Sequence, residues 1–339
     1  MAVLGTNNLT LLDWTKRVDP DGNVPIIGEL LSQKNEVLMD MVWREGNLPT
    51  GHREIIRTGL PDVTWRALNQ GVPNSKSTTA QIDEGCAILE TRSELDKDIA
   101  LLNGNSAQFR LSEDSAFIEA MNQKMASTIW YGDPGVDPKQ FLGMRARYNA
   151  LTGSGNSTNV LSAGGTALNA LTSIYIIGWG DQTVFGCFPK GSKAGLVMDD
   201  LGEQTVYNGD LRMQALTTRY QWKCGMVFKD WRYGVRICNI DPATFTALTG
   251  VAAPTGLSNL LHLMVQGIYK LPDSNANIAI YCNRTVHAAL SRIAMEKQLG
   301  VLTIEQGLNT FGRPHSWMSF MGYPIRCTDS IVNTEAQVL

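Results

Sequence analysis

The residues able to do chemistry in this chain are scattered. The four histidines are His52, His262, His287 and His315. None has a histidine or cysteine partner within four residues, the short helical or loop spacing that metal sites use. The six cysteines, Cys86, Cys187, Cys224, Cys238, Cys282 and Cys327, form no C-x-x-C pair. Their apolar or strand-like surroundings predict reduced, buried thiols. No G-x-x-x-x-G-K-[ST] loop is present, and Gly153-Ser154-Gly155 and Gly178-Trp179-Gly180 lack the rest of a dinucleotide fingerprint. There is no G-x-S-x-G elbow. A Ser/His/Asp set assembled only in space would leave no local sign.

Two patterns remain. Glu90, Glu94, Asp96 and Asp98 are interleaved with Arg92 and Lys97. Paired carboxylates could do acid–base work, but the mixed signs favour a solvated or subunit-facing strand edge. Cations sit beside aromatics at Trp65-Arg66, Trp222-Lys223 and Trp231-Arg232-Tyr233. Such pairs can stack nucleic-acid bases or anchor a protein interface. A net charge of −3 and a pI near 5.9 argue against a dedicated nucleic-acid binder, so interface anchors are the expected role. No cofactor, metal or catalytic set is expected, and the chain reads as a non-enzyme.

At 339 residues the chain is long enough for about two domains. Charged residues make up 18%, below the ~25% usual for soluble domains, as in a chain that hides surface in an assembly. No run reaches the ~20 apolar residues of a membrane span. Met1 to Leu12 lacks the basic and apolar regions of a secretory signal.

Residues 1–22 read as a polar arm, and 24–42 as an amphipathic helix. From Gly46 to Leu102, turn residues punctuate short strand-like pieces, Val63–Ala67 and Ala87–Leu95. These predict a long β-hairpin, which is marginal in water unless it rests on something else. Phe117, Met121, Met125 and Ile129 recur every four residues and predict a helix over 112–131 capped by Ser112. Residues 151–170 read as a loop. Beyond them lie a central strand at 173–177, a turn at Asn208-Gly209 and a half-buried strand 231–238 with a cationic outer edge. A helix at 257–270, a buried strand at 278–282, a helix capped by Asn283 and ended by Gly300, and a strand-rich tail follow.

This order of α+β elements resembles the major capsid protein of tailed phages, the Hong Kong 97-type fold. Particular strings resemble the short-tailed phage and prophage branch. They include Glu45-Gly46-Asn47-Leu48-Pro49-Thr50-Gly51-His52-Arg53, Arg57-Thr58-Gly59-Leu60-Pro61, Thr64-Trp65-Arg66-Ala67-Leu68-Asn69-Gln70-Gly71, Phe188-Pro189-Lys190-Gly191-Ser192-Lys193 and Lys229-Asp230-Trp231-Arg232-Tyr233. The resemblance implies an arm and first helix at 1–45, an extended hairpin (E-loop) at 46–102, and a P-domain at 103–150 with its spine helix at 112–131. An A-domain at 151–315 and a returning P-domain tail at 316–339 complete it. It implies a shell protein that self-assembles as pentamers and hexamers around double-stranded DNA, made in the host bacterial cytoplasm and resident in the virion. An encapsulin-like compartment shares the fold and is the alternative, ahead of a soluble α+β enzyme.

Implied partners are further copies of the chain, a portal, a decoration or cement protein, and DNA held by non-specific contacts. The arm is short for a fused scaffold, so a separate scaffolding protein is expected. Candidate subunit contacts are Arg53, Arg57, Trp65, Arg66, Lys76, Trp231, Arg232 and Tyr233. Some members of the family cross-link a hairpin lysine to a neighbour's asparagine, and Lys76 and Asn333 occupy comparable positions.

Overall fold

A computed structural model describes residues 31–102, 106–208, 210–246, 255–272, 276–296, 302–308 and 314–339. Helix α1 (Val37–Asp40) and strand β1 (Trp43–Glu45) lead into a hairpin of β2 (Gly51–Gly59) and β3 (Thr78–Gly85). Strand β4 (Ala87–Asp96), helix α2 (Lys97–Leu101) and the long helix α3 (Ser106–Tyr131) follow. Next come α4 (Met144–Arg147), β5 (Val160–Ser162), β6 (Thr172–Trp179) and β7 (Val184–Phe188). A second hairpin is made by β8 (Leu196–Asn208) and β9 (Leu211–Phe228). The chain continues through β10 (Gly234–Ile240), α5 (Ala243–Thr246), α6 (Thr255–Lys270), β11 (Asn277–Cys282) and α7 (Arg284–Glu296). It ends in β12 (Leu302–Leu308), β13 (Pro314–Phe320) and β14 (Tyr323–Cys327).

Strand β6 is the centre. Every residue of it is buried, because both faces of the sheet are covered, and a doubly covered strand reads as an unbroken apolar run. Ile174 and Ile176 point into a core filled by Leu260, Met264 and Ile268 of α6 and Val286, Leu290 and Ile293 of α7. Tyr175, Ile177 and Trp179 point the other way, to Met125, Ile129 and Trp130 of α3. The Trp130 and Tyr175 rings stack at 5.0 Å. Antiparallel β10 and β11 flank β6, and β14 joins β11 in parallel.

A buried ion pair closes this body. Arg236 on β10 and Glu335 in the tail meet at 2.8 Å with side chains 2% exposed. Glu335 also accepts from Ser173 Oγ at 2.5 Å and Tyr131 Oη at 2.7 Å. Arg236 donates to the Tyr148 carbonyl and to Ser173 Oγ. Backbone bonds between Leu171 and Glu335, and the Asn239 side-chain amide donating to the Val338 carbonyl and accepting from its N–H, complete the seam. One network therefore ties α3, β6, β10 and the tail.

The structure corrects several expectations. The helix expected over 24–42 is only Val37–Asp40 within the described residues; Met41 is extended, and Trp43–Glu45 pairs with β7. Residues 1–30 lie outside the description, and so does the Gly300 stop. The long helix starts at Ser106, so Ser112 is interior and its carbonyl accepts from Ser115 Oγ. Val63–Ala67 forms no strand. Its alternation sits in an exposed loop, with no partner strand to satisfy it. Ala87–Leu95 is a strand, but it pairs with β9 in the body and is not an arm of the excursion. The two-stranded hairpin itself spans 51–85. Residues 160–162 of the expected 151–170 loop form β5. Strand β10 has no cationic outer edge: Arg236 is inside, neutralised by Glu335. His315 lies in β13. The turn between β8 and β9 falls where Asn208-Gly209 indicated, and Asn283 Oδ1 accepts from the Val286 N–H at 2.9 Å as a helix cap.

Replacing Glu335 with alanine leaves a buried guanidinium unpaired, which costs about 3–5 kcal/mol. Chemical denaturation of the protomer is expected to show that loss. The double replacement Arg236→Met with Glu335→Leu is expected to recover much of it.

Candidate subunit interface

Strands β2 and β3 form a sheet of two strands by themselves. Their register runs from Gly51 opposite Gly85 to Gly59 opposite Thr78, with an irregularity between Arg57 and Gly59. Two strands alone bury too little apolar surface to be stable in water, so the root decides whether the hairpin holds its place.

The root is polar and well anchored. Arg147 of α4 makes a fork onto Glu84 of β3, with N···O distances of 2.5 and 2.6 Å. Both side chains are buried, at 7% and 6% exposure. Arg147 also donates to the carbonyls of Met226 and Leu142 and lies 4.7 Å over the Phe228 ring. The planar guanidinium suits this combination of bidentate pairing and stacking. On β2, Glu54 receives Lys229 at 3.0 Å and His52 Nε2 at 2.9 Å. Those two partners, against the opposing effect of burial, hold the Glu54 carboxyl below the usual carboxylate range. Gly51 is needed here: a Cβ would fall 2.0 Å from the Glu84 carbonyl oxygen.

Beyond the root the hairpin is largely exposed among the described residues. Arg53 and Asp83, opposite each other in the register, pair by two 2.6 Å bonds at the surface. The loop from 60 to 77 has no strand or helix. Leu60, Val63, Trp65 and Leu68 on it are 78%, 91%, 103% and 92% exposed. Five large apolar side chains, with Val72, stand in solvent on one loop. Large apolar side chains left this exposed along one short loop point to an interaction site.

The eight candidate residues fall in four places. Arg57, Trp231 and Arg232 line one groove of about 1180 Å³ between the hairpin and the body. Trp65, Arg66 and Lys76 lie outside it on the exposed loop, and Arg53 is on the hairpin shaft. Tyr233 is a core residue, buried in the cluster with Trp130 and Phe228. Arg232 is paired with Asp230 at 2.6 Å. Sequence reasoning missed Arg147, Glu84, Arg236 and Glu335. Their partners lie 63 and 99 residues apart, and no local pattern marks such pairs.

Among the described residues there is no cluster of three or more metal-ligating side chains and no helix long and apolar enough to cross a membrane. His262 is exposed on α6, and burial lowers the His287 pKa below its ordinary value.

The comparisons with known proteins agree with this anatomy. Residues 19–339 match the family described as Major capsid protein GP7. The chain belongs to that capsid family. As a GP7-family major capsid protein it is a shell-forming head protein of the virion. The structure of bacteriophage Epsilon15 is similar along the whole length, with 29% identity, a TM-score of 0.72, and 100% and 99% of the two chains covered. More distant structures include the capsid of a native GTA particle, at 9% identity and TM-score 0.46, covering 65% of this chain and 95% of that one. The holo-SrpI encapsulin of Synechococcus elongatus PCC 7942 stands at 10% identity and TM-score 0.41, covering 69% of this chain and 96% of that one. No curated protein matches the sequence. The fold is the Hong Kong 97-type capsid fold that the element order indicated.

Arg147→Met is expected to destabilise the capsid protein by about 3 kcal/mol or more by leaving Glu84 buried and unpaired. Hydrogen exchange should speed up selectively at the β2 and β3 amides. Unchanged exchange there would show that the pair does not hold the root.

Proposed function

We propose that this head protein builds an icosahedral shell of pentamers and hexamers around double-stranded DNA, with the hairpin loop 60–77 as its principal grip on neighbouring copies. The observation that carries this reading is the exposure of Leu60, Val63, Trp65, Leu68 and Val72 on an excursion with no core of its own. Burying a large apolar side chain is worth ~1.5–3 kcal/mol, so five of them leave a large reward for covering the loop. Trp65 is the natural central anchor, since tryptophan dominates interface hot spots.

The groove beneath the hairpin complements it. Arg57, Trp231 and Arg232 offer cations beside an indole, which suits a neighbour's polar or acidic segment at an interface rim. In this reading the excursion 51–85 is the E-loop, α3 and the tail form the P-domain, and the α6–α7 side of the sheet belongs to the A-domain. Assembly takes place in the host cytoplasm. A scaffolding chain, a portal and a decoration protein are the further partners such a shell calls for. DNA would be met by non-specific phosphate contacts. Membership in a capsid family favours a phage head over an encapsulin-like compartment or an enzyme.

Expression with any scaffold encoded nearby, followed by sedimentation and electron microscopy, tests the reading. Closed shells or capsomer rings are expected. A monomer at every concentration and salt would overturn it. Trp65→Ser is expected to leave protomer stability within ~0.5 kcal/mol of the parent, because the side chain touches solvent, while particle yield falls sharply. Normal shells from that variant would remove Trp65 from the contact.

A further inference from the structure

The hairpin root holds a pair of thiols that the shell reading does not use. Cys86 is the residue between β3 and β4, where the chain turns from the excursion back into the body. Its N–H donates to the Thr50 carbonyl at 2.9 Å, so it closes the base of the hairpin. Cys187 lies on β7 in register with Arg44 of β1, the strand that feeds the hairpin. The two sulfurs are 3.2 Å apart and unbonded.

Their meeting is built by the sheet. Strand β4 begins at Ala87 opposite Cys224 of β9, and β7 places Cys187 opposite Gly225. Both thiols therefore converge on Gly225, which has no side chain to part them. A Cβ there would lie 3.1 Å from each sulfur. Cys86 is half-buried and Cys187 buried, so one thiol faces a small oxidant and the other waits behind it. The hydrogen bond between them lowers the Cys86 pKa and raises that of Cys187, which makes Cys86 the better first nucleophile.

We propose that Cys86 and Cys187 form an intrachain disulfide under mildly oxidising conditions, stapling the outgoing root of the hairpin to the body. With a small-molecule disulfide such as oxidised glutathione, the Cys86 thiolate attacks one glutathione sulfur and expels the other as thiolate. A mixed disulfide results. Cys187 then loses its proton and attacks Cys86 Sγ, expelling the second glutathione thiolate. Two protein thiols are oxidised, one glutathione disulfide is reduced to two thiols, and the two protons pass to the leaving groups. The closed loop spans 101 residues, long enough for the constraint on the unfolded chain to be felt. Strand β4, helices α2 to α4 and strands β5 and β6 lie inside it, and the hairpin of β2 and β3 stands immediately outside its closing bond.

The experiment uses the purified full chain, equilibrated in glutathione buffers from fully reducing to fully oxidising. Free thiols are alkylated, and non-reducing digests are read by mass spectrometry. The expected result is loss of two of the six thiols, one cross-linked peptide pair carrying Cys86 and Cys187, and a melting temperature higher by roughly 5 °C or more. Cys86→Ser and Cys187→Ser should each abolish the cross-link and the shift while folding as the reduced parent does. Six free thiols at the oxidising end, a bond through Cys224, or a bond between chains would overturn the proposal. None of these outcomes depends on whether shells form.

Discussion

A sheet covered on both faces admits a charge only if a partner arrives with it. Arg236 is that charge and Glu335 is the partner. The pair is expensive to desolvate, and ion pairs of this kind are weak evidence for stability by themselves. What it supplies here is placement. Glu335 has bonds to Ser173 on β6, Tyr131 at the end of α3 and Arg236 on β10. Those elements meet in one arrangement or leave buried polar groups unsatisfied. The tail is thereby fixed over the body, and with it β14 beside β11 and α3 against Tyr175.

The hairpin is organised on the opposite plan. Its root is as polar and as buried as the Arg236 seam, through Arg147 and Glu84. Its far end is apolar and bare. A polar root fixes direction, because a bidentate fork tolerates little rotation. An apolar end gives affinity without demanding one angle of approach. On the proposed reading, in which the same subunit enters pentamers and hexamers, that division lets the contact be carried on a lever whose base alone is specified.

The sequence made the central strands, the long helix and the Asn283 cap readable, since each is written in periodicity or a local cap. The short apolar run Ile174–Ile177, bounded by turn signals, is consistent with a central strand, and both its faces are covered. Val63–Ala67 misled because alternation predicts a strand only when a second strand is there to meet it. Arg236 misled for a related reason: in an alternating stretch a cation reads as outward-facing, and its partner lay 99 residues further on. Of the contact candidates, Trp65 stands exposed and Tyr233 lies in the core, because aromatics serve cores and interfaces alike. The convergence of Cys86 and Cys187 had no local trace, as they are 101 residues apart and meet only through β9.

The long span between Arg236 and Glu335 has a consequence on the ribosome. Strand β10 emerges well before the tail that neutralises it. Until residue 335 is made, the buried site for Arg236 is a charge without a counterion, and β6 gains its neighbour β11 only once residue 282 has been added. A copy cut short before residue 335 carries a buried charge with no counterion and loses the bonds that join α3, β6 and β10, so truncation is felt at the centre of the body and not only at its end.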